Sequence, residues 1–130
     1  ALIEDAHAAG ALVIGSFHDF EGTPSDDRLA EVLADMNYAG ADVLKFACMA
    51  HSATDAARVL GAQAWAREAY DRPVIGIAMG SNGAPTRLVG SALGSAATFA
   101  TLPGAEGSAP GQFTIEQARA VLDIVEGFEA

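Results

Sequence analysis

The sequence predicts an α/β fold of four successive βα units with parallel strands, the size of half a (β/α)8 barrel. Apolar runs of strand length alternate four times with segments of helical periodicity, which favours parallel strands joined by crossover helices. The strand segments are almost continuously apolar, as in sheets covered on both faces. A complete barrel needs about 250 residues. The 130 residues are therefore expected to form a single segment, 1–130, and a small doubly wound sheet is the alternative fold.

The first half of the chain contains signals for two helices and two strands. Thr23 followed by Pro24 is typical of an N-cap and first helical position, and Gly10 and Gly40 suit helix ends. The predicted elements are the end of a helix at 2–9, a strand at 11–16, a helix from Thr23 to Gly40 and a strand at 42–48.

The second half repeats the alternation with a weaker last strand. Thr114 and Gln117 have the spacing of a capping box, which predicts where the final helix begins. The predicted elements are a helix at 52–70, a strand at 73–79, a short helix at 86–93, a strand at 95–99 and a helix from Thr114.

Composition excludes several classes of protein. Hydrophobic residues make up 51% and charged residues 18%, which predicts a folded domain. The net charge of −10 argues against nucleic acid as a partner, because nucleic-acid binding depends on cationic side chains. Charged residues interrupt every apolar run before the roughly 18 residues of a membrane span, so no membrane is expected. A single cysteine, Cys48, with no recognisable signal peptide, predicts a cytoplasmic protein without disulfides.

Lys45 is the strongest functional clue, because it lies in the middle of an apolar strand. Alternation places Val43, Lys45 and Ala47 on one face of that strand, opposite Leu44 and Phe46. A lysine that loses hydration also loses proton affinity, and a neutral amine can form a Schiff base with a carbonyl. A lysine that extends to solvent from a strand end is the simpler alternative.

Other polar residues follow the carboxyl ends of successive predicted strands, where βα barrels build their active sites. His18 closes the first strand and suits acid–base work. Arg87 follows a glycine-rich loop and could hold a carboxylate or phosphate. Ser108 and Gln112 lie in a long loop that resembles a mobile lid. Taken singly, each is also consistent with an ordinary surface residue. His7 and His51 are interpreted as such, and no histidine pair has metal-ligand spacing, so no metal is expected.

These segments together resemble the C-terminal half of type I 3-dehydroquinate dehydratase. The resemblance covers almost the whole chain in order, with Thr86 where the family more often has serine. The matching segments are 16–20 (SFHDF, followed by Thr23 and Pro24), 40–47 (GADVLKFA), 79–87 (from Met79 to Arg87), 94–99 (GSAATF) and 108–112 (SAPGQ).

The resemblance implies a hydro-lyase that converts 3-dehydroquinate to 3-dehydroshikimate in the shikimate pathway, without cofactor or metal. Lys45 would form the Schiff base with the C3 ketone. His18 would remove the C2 proton and help water leave from C1. Arg87 would hold the substrate carboxylate, Ser108 and Gln112 would bind from the lid, and Met79 would line the pocket.

The resemblance also implies a missing N-terminal half-barrel, which in the family binds the ring hydroxyls and supplies a glutamate that orients the histidine. The chain is then one segment of an enzyme, a half-barrel that pairs with a second copy as a homodimer, or a fragment with little activity. Two other functions stay open: a non-catalytic half-barrel module for association, and a class I lysine aldolase. A phosphorylated substrate would be expected for the aldolase.

Overall fold

A computed structural model describes residues 2–127 and contains five helices and three strands in these residues. The elements in chain order are α1 (Leu2–Ala8), β1 (Ile14–Asp19), α2 (Asp26–Tyr38), β2 (Val43–Met49), α3 (Ala53–Ala69), β3 (Val74–Met79), α4 (Thr86–Val89) with a following 3-10 turn (Gly90–Leu93), and α5 (Ile115–Glu126). The predicted alternation of strands and helices is therefore confirmed over the first three units. Within 2–127, no helix has the length and apolar character needed to cross a membrane.

The three strands form one parallel sheet in the order β1-β2-β3, and helices α2 and α3 pack on one of its faces. On that face Leu44, Phe46 and Cys48 join the main core. The opposite face carries a smaller cluster that includes Ala47, Ile75, Ile77 and Met79. Alternation along a strand thus separates a helix-packed face from a face that in a barrel points inward.

Helix α2 begins later than the sequence predicts. Thr23 is not its N-cap; Ser25 is, and its side chain accepts a hydrogen bond from the Arg28 amide. The Thr23 hydroxyl instead donates to the Met49 carbonyl at 2.8 Å and ties this loop to the end of β2. The Met49 carbonyl is 26 residues away in the sequence, so the local sequence pattern does not indicate this hydrogen bond. The capping box predicted at Thr114 is confirmed.

The predicted fourth strand at 95–99 forms only an isolated parallel bridge between Ser95 and Val74. The Ala96 amide donates to the Val74 carbonyl at 2.8 Å, and the ladder goes no further. The hydroxyls of Ser95 and Thr98 donate to the carbonyls of Ala97 and Arg87, at 2.9 Å each. Such side-chain bonds to backbone compete with sheet pairing, and the segment follows β3 without joining it as a strand.

Strand β1 is left uncovered on the inward-pointing face. Ile14 and Phe20 are 54% and 59% exposed there, although both are large and apolar. In residues 2–127 its outer edge pairs with no other strand. An open strand edge beside exposed apolar side chains is unfavourable in water. This side of the sheet is therefore a surface that another protein segment is suited to cover.

Cys48 is expected to be chemically inert while the chain is folded. The side chain is fully buried, and burial together with the Asp19 carboxylate raises the pKa of the thiol to about 12. Since thiolate is the reactive form, a disulfide reagent near pH 8 should label Cys48 only when denaturant unfolds the chain. Rapid labelling of the native protein would contradict this prediction.

Candidate active site

Lys45 projects from the middle of the sheet on the face away from the helices. Its neighbours Leu44 and Phe46 are fully buried in the helix-side core, so the predicted division of the two faces of β2 is confirmed. The strand register places Lys45 directly beside Ser16 of β1 and Ile75 of β3. The central strand thereby holds the amine between two rigid neighbours.

The Lys45 amine has three close neighbours. Its Nζ lies 3.1 Å from Ser16 Oγ and 3.1 Å from His18 Nε2. It also lies 5.5 Å from the centroid of the Phe99 ring, within the range of a cation–π contact. The His18 ring stacks on Phe20 with an interplanar angle of 9°. A primary amine and an imidazole are therefore held in hydrogen-bond contact.

Burial and a neighbouring positive charge lower the pKa of both groups. Burial lowers the pKa of Lys45 below 10.5, and the positive charge of Arg87 adds to this effect. Burial and, second, the charge of Lys45 lower the pKa of His18 below 6.5. A neutral imidazole can accept a proton near pH 7, and an amine with a lowered pKa is more often nucleophilic.

Arg87 is a buried cation without an acidic partner among residues 2–127. Its side chain is 5% exposed, and its Nε has no hydrogen-bond partner in the part of the chain that the structure describes. Its only side-chain hydrogen bond in the structure goes from a terminal nitrogen to the Pro110 carbonyl at 3.3 Å. Burial lowers the pKa of the guanidinium, although arginine stays charged at any working pH. Such a group is suited to bind an anion.

The loop that carries Ser108 and Gln112 closes on the carboxyl end of β3. The Gln112 side chain accepts from the Ser108 amide at 2.9 Å and donates to the Ser108 hydroxyl at 3.0 Å. The Pro110 carbonyl accepts from the Gly80 amide at 3.4 Å. Gly111 has φ +82°, and a Cβ there would lie 2.7 Å from the Gly80 carbonyl oxygen. The glycine is therefore needed for the loop to approach β3 so closely.

All six residues that the sequence predicted for the site line one pocket of about 130 Å³. The other lining residues are mostly apolar, which suits a small ligand with a few polar groups. The six are Lys45, His18, Arg87, Ser108, Gln112 and Met79, and the others are Phe20, Ala47, Ile77, Phe99 and Ala109.

The other two histidines and Asp19 lie outside this pocket. His7 contacts the Asp42 carboxylate at 2.8 Å, and the His51 ring contacts the Glu21 carbonyl at 2.6 Å. Asp19 accepts from the amides of the next loop and so shapes the turn after β1. In the described part of the chain, no three His, Cys, Asp or Glu side chains gather as a metal site.

Two residues that contact the amine, Ser16 and Phe99, have no role predicted from the sequence. Ser16 lies in the matching segment 16–20 and Phe99 in the predicted strand at 95–99, and neither position by itself indicates a role. One further signal was available, because Lys45 is the only lysine in the chain. A lysine that occurs only once, and inside an apolar strand, is a further indication that its amine has a function.

The sheet is parallel, and one pocket at the carboxyl ends of its strands is lined by a lysine, a histidine and a buried arginine. These features define the class as a βα-barrel protein whose site contains a primary amine. The family model described as type I 3-dehydroquinase matches residues 1–129. This chain belongs to the type I 3-dehydroquinase family.

Its relatives include 3-dehydroquinate dehydratases from several bacteria. The protein of Klebsiella pneumoniae is 43% identical over 126 residues, which are 96% of this chain and 49% of that protein. The protein of Listeria welshimeri is 40% identical, over 95% of this chain and 48% of its own length. The chain therefore spans about half the length of these relatives.

Solved structures give the same result. The 3-dehydroquinate dehydratase of Geobacillus kaustophilus matches with a TM-score of 0.93 and 36% identity, over 99% of this chain and 49% of that protein. The type I enzyme of Clostridium difficile, solved with covalently modified comenic acid, matches with a TM-score of 0.89 and 34% identity, over 97% and 49%. The chain thus has the fold of about half of a (β/α)8 barrel.

Proposed function

We propose that the chain is the half of a 3-dehydroquinate dehydratase that contains the Schiff-base lysine, and that it takes part in the conversion of 3-dehydroquinate to 3-dehydroshikimate. The observation that carries this proposal is the contact of 3.1 Å between Lys45 Nζ and His18 Nε2 in the pocket. Membership of the type I family supports it, as does the covalent ligand in the Clostridium difficile relative.

Lys45 and His18 would divide the chemistry between them. The neutral amine of Lys45 adds to the C3 ketone, and uptake of one proton with loss of one water leaves an iminium. The iminium draws electrons from the adjacent C2 and makes its proton acidic. His18, neutral because of its lowered pKa, removes that proton and then donates it to the hydroxyl that leaves C1 as water. These reaction steps require no cofactor or metal.

The remaining residues would bind the substrate. Arg87, buried and without an acidic partner in the described chain, would hold the substrate carboxylate. Ser108 and Gln112 now bond to each other and would turn these groups toward the substrate. Met79, only 1% exposed, would form part of the apolar wall.

The proposal includes a complementary half-barrel. We assign this chain, 1–130, to the C-terminal half of the barrel, and the other half would supply groups for the ring hydroxyls and a carboxylate that orients His18. The uncovered face and edge of β1 support a partner of this kind. The partner is the N-terminal half or a second copy in a homodimer, and one buried cysteine is compatible with a reducing cytoplasm.

Association without catalysis is a second candidate, favoured by the exposed side chains of Ile14 in β1 and Phe20 directly after it. It predicts binding to the complementary half without any covalent adduct at Lys45. Covalent trapping therefore separates the two functions.

The test of the proposed function is intact mass after the chain is mixed with 3-dehydroquinate and borohydride, alone and with a separately prepared N-terminal half. One ligand-sized addition at Lys45 supports the proposal. Because the chain has one lysine, the peptide that carries the addition identifies the amine directly. No addition under either condition would overturn it.

Arg87→Met should weaken substrate binding without loss of stability. Methionine keeps much of the side-chain volume and removes a buried charge that has no acidic partner among residues 2–127. We expect a KM increase of about tenfold or more, since hydrogen bonds to charged groups contribute about 1.5–3 kcal/mol. Thermal melting should show a Tm no lower than wild type. An unchanged KM would remove Arg87 from the binding site.

A further inference from the structure

We propose that Ser16 is a positioning residue for Lys45. Its hydroxyl holds Nζ in place and accepts a hydrogen bond from the iminium N–H, so that His18 stays free to act as the base. This inference rests on the proposed function and adds a residue to it. Ser16 lies outside the set of residues that line the pocket, so its hydroxyl contacts the amine without occupying the ligand space.

The contact is built into the sheet. Ser16 of β1 and Lys45 of β2 are direct partners in the parallel register, and their side chains project from the same face. Ser16 Oγ lies 3.1 Å from Nζ, and His18, two residues further along β1, lies at the same distance. Because residues i and i+2 of a strand share a face, one strand presents both acceptors to one amine.

The number of hydrogen-bond donors on Nζ changes during the reaction. The ammonium of Lys45 has three N–H donors, enough for both Ser16 Oγ and His18 Nε2. The ammonium and a ketone together give an iminium and one water: a C–N bond forms, the C–O bonds break, and two nitrogen protons leave with the oxygen. The iminium therefore keeps one N–H.

That single N–H cannot serve both acceptors. If it bonds to His18 Nε2, the lone pair that must remove the C2 proton is occupied. If it bonds to Ser16 Oγ, the imidazole is available as a base, and the iminium stays protonated and fixed in orientation. The hydroxyl is thus needed after the imine forms, at the step of proton removal.

The first experiment measures the titration of the only lysine in the chain, labelled with ¹³C at Cε, by NMR. The Ser16 hydroxyl accepts a hydrogen bond from the charged amine and stabilises that form. Ser16→Ala should therefore lower the pKa of Lys45 by about 0.5 or more relative to wild type. Ser16→Thr keeps the hydroxyl on a residue suited to strands and should restore the wild-type titration. Ser81→Ala, at an exposed serine outside the pocket, should leave it unchanged. An unaltered titration in Ser16→Ala would overturn the contact and the proposal.

The second experiment measures turnover with the complementary half present. In Ser16→Ala we expect borohydride trapping at Lys45 and a KM close to wild type, with kcat about tenfold to a hundredfold lower. The alkaline limb of the kcat profile should move to lower pH, because the iminium loses a stabilising acceptor. Ser16→Thr should recover kcat.

The outcomes separate this inference from the function on which it rests. Absence of a wild-type adduct overturns both the proposed function and the iminium role of Ser16. A wild-type adduct together with normal kcat and an unshifted pH profile in Ser16→Ala overturns the role of Ser16 alone. Normal kcat in Ser16→Thr after a loss in Ser16→Ala supports the hydroxyl itself as the cause.

Discussion

Lys45→Ala is expected to abolish covalent trapping of 3-dehydroquinate and to reduce turnover by at least about a thousandfold, because the only ε-amine of the chain is removed. Intact mass after borohydride treatment measures the adduct, and absorbance of the enone product measures turnover. The variant should fold, since Lys45 lies in the small inward-facing part of the sheet and contributes nothing to the helix-side core.

Lys45→Arg is the matched control for charge. It keeps a cation beside His18 and Phe99 but offers no primary amine for imine formation. We expect it to be as inactive as Lys45→Ala while substrate binding is better preserved. An adduct or normal turnover in either variant would move the nucleophile elsewhere in the protein.

His18→Ala should leave imine formation in place and cripple the elimination that follows. Removal of a general acid–base group costs about a hundredfold to ten-thousandfold in rate. Borohydride should still trap substrate on Lys45, at a level that exceeds the product formed in the same time. Loss of trapping together with turnover would assign His18 to imine formation instead.

The pH dependence of the wild type gives an independent view of His18. Burial and the Lys45 charge lower its pKa below 6.5, so the imidazole is neutral at pH 7 and acts as a base there. The rate of elimination from the preformed iminium, in which Lys45 no longer titrates as an amine, should therefore be retained down through pH 6.5 and fall as His18 becomes protonated at lower pH. His7→Ala is the matched control, because His7 bonds to Asp42 at the opposite end of the strands and should leave turnover unaffected.

Most of the fold followed from local signals. These signals depend on residues a few positions apart. The structure confirms the glycines that end helices, the capping box at Thr114 and the first three strands, although β1 spans Ile14–Asp19 where the strand was predicted at 11–16. The predicted start of α2 and the fourth strand were wrong in detail. In both places a hydroxyl binds a backbone carbonyl, at Met49 and at Arg87, which local propensity does not register.

The candidate site was predictable as a set of residues but not as a geometry. Strand alternation placed Lys45 on the face opposite Leu44 and Phe46. Positions after the carboxyl ends of strands indicated four of its five companions, and the family resemblance added Met79. Only the structure shows that these six line one pocket, and their catalytic and binding roles stay predictions until the variants are measured.

By itself, the sequence determined the βα alternation and the faces of the strands and indicated the candidate site residues, because periodicity and capping act over short stretches of chain. The tertiary structure decided the rest. It set the register that pairs Ser16 with Lys45, the burial of Arg87 without an acidic partner in residues 2–127, and the open face of β1. These depend on contacts between residues distant in the chain, whose energies are fixed only when the elements pack together.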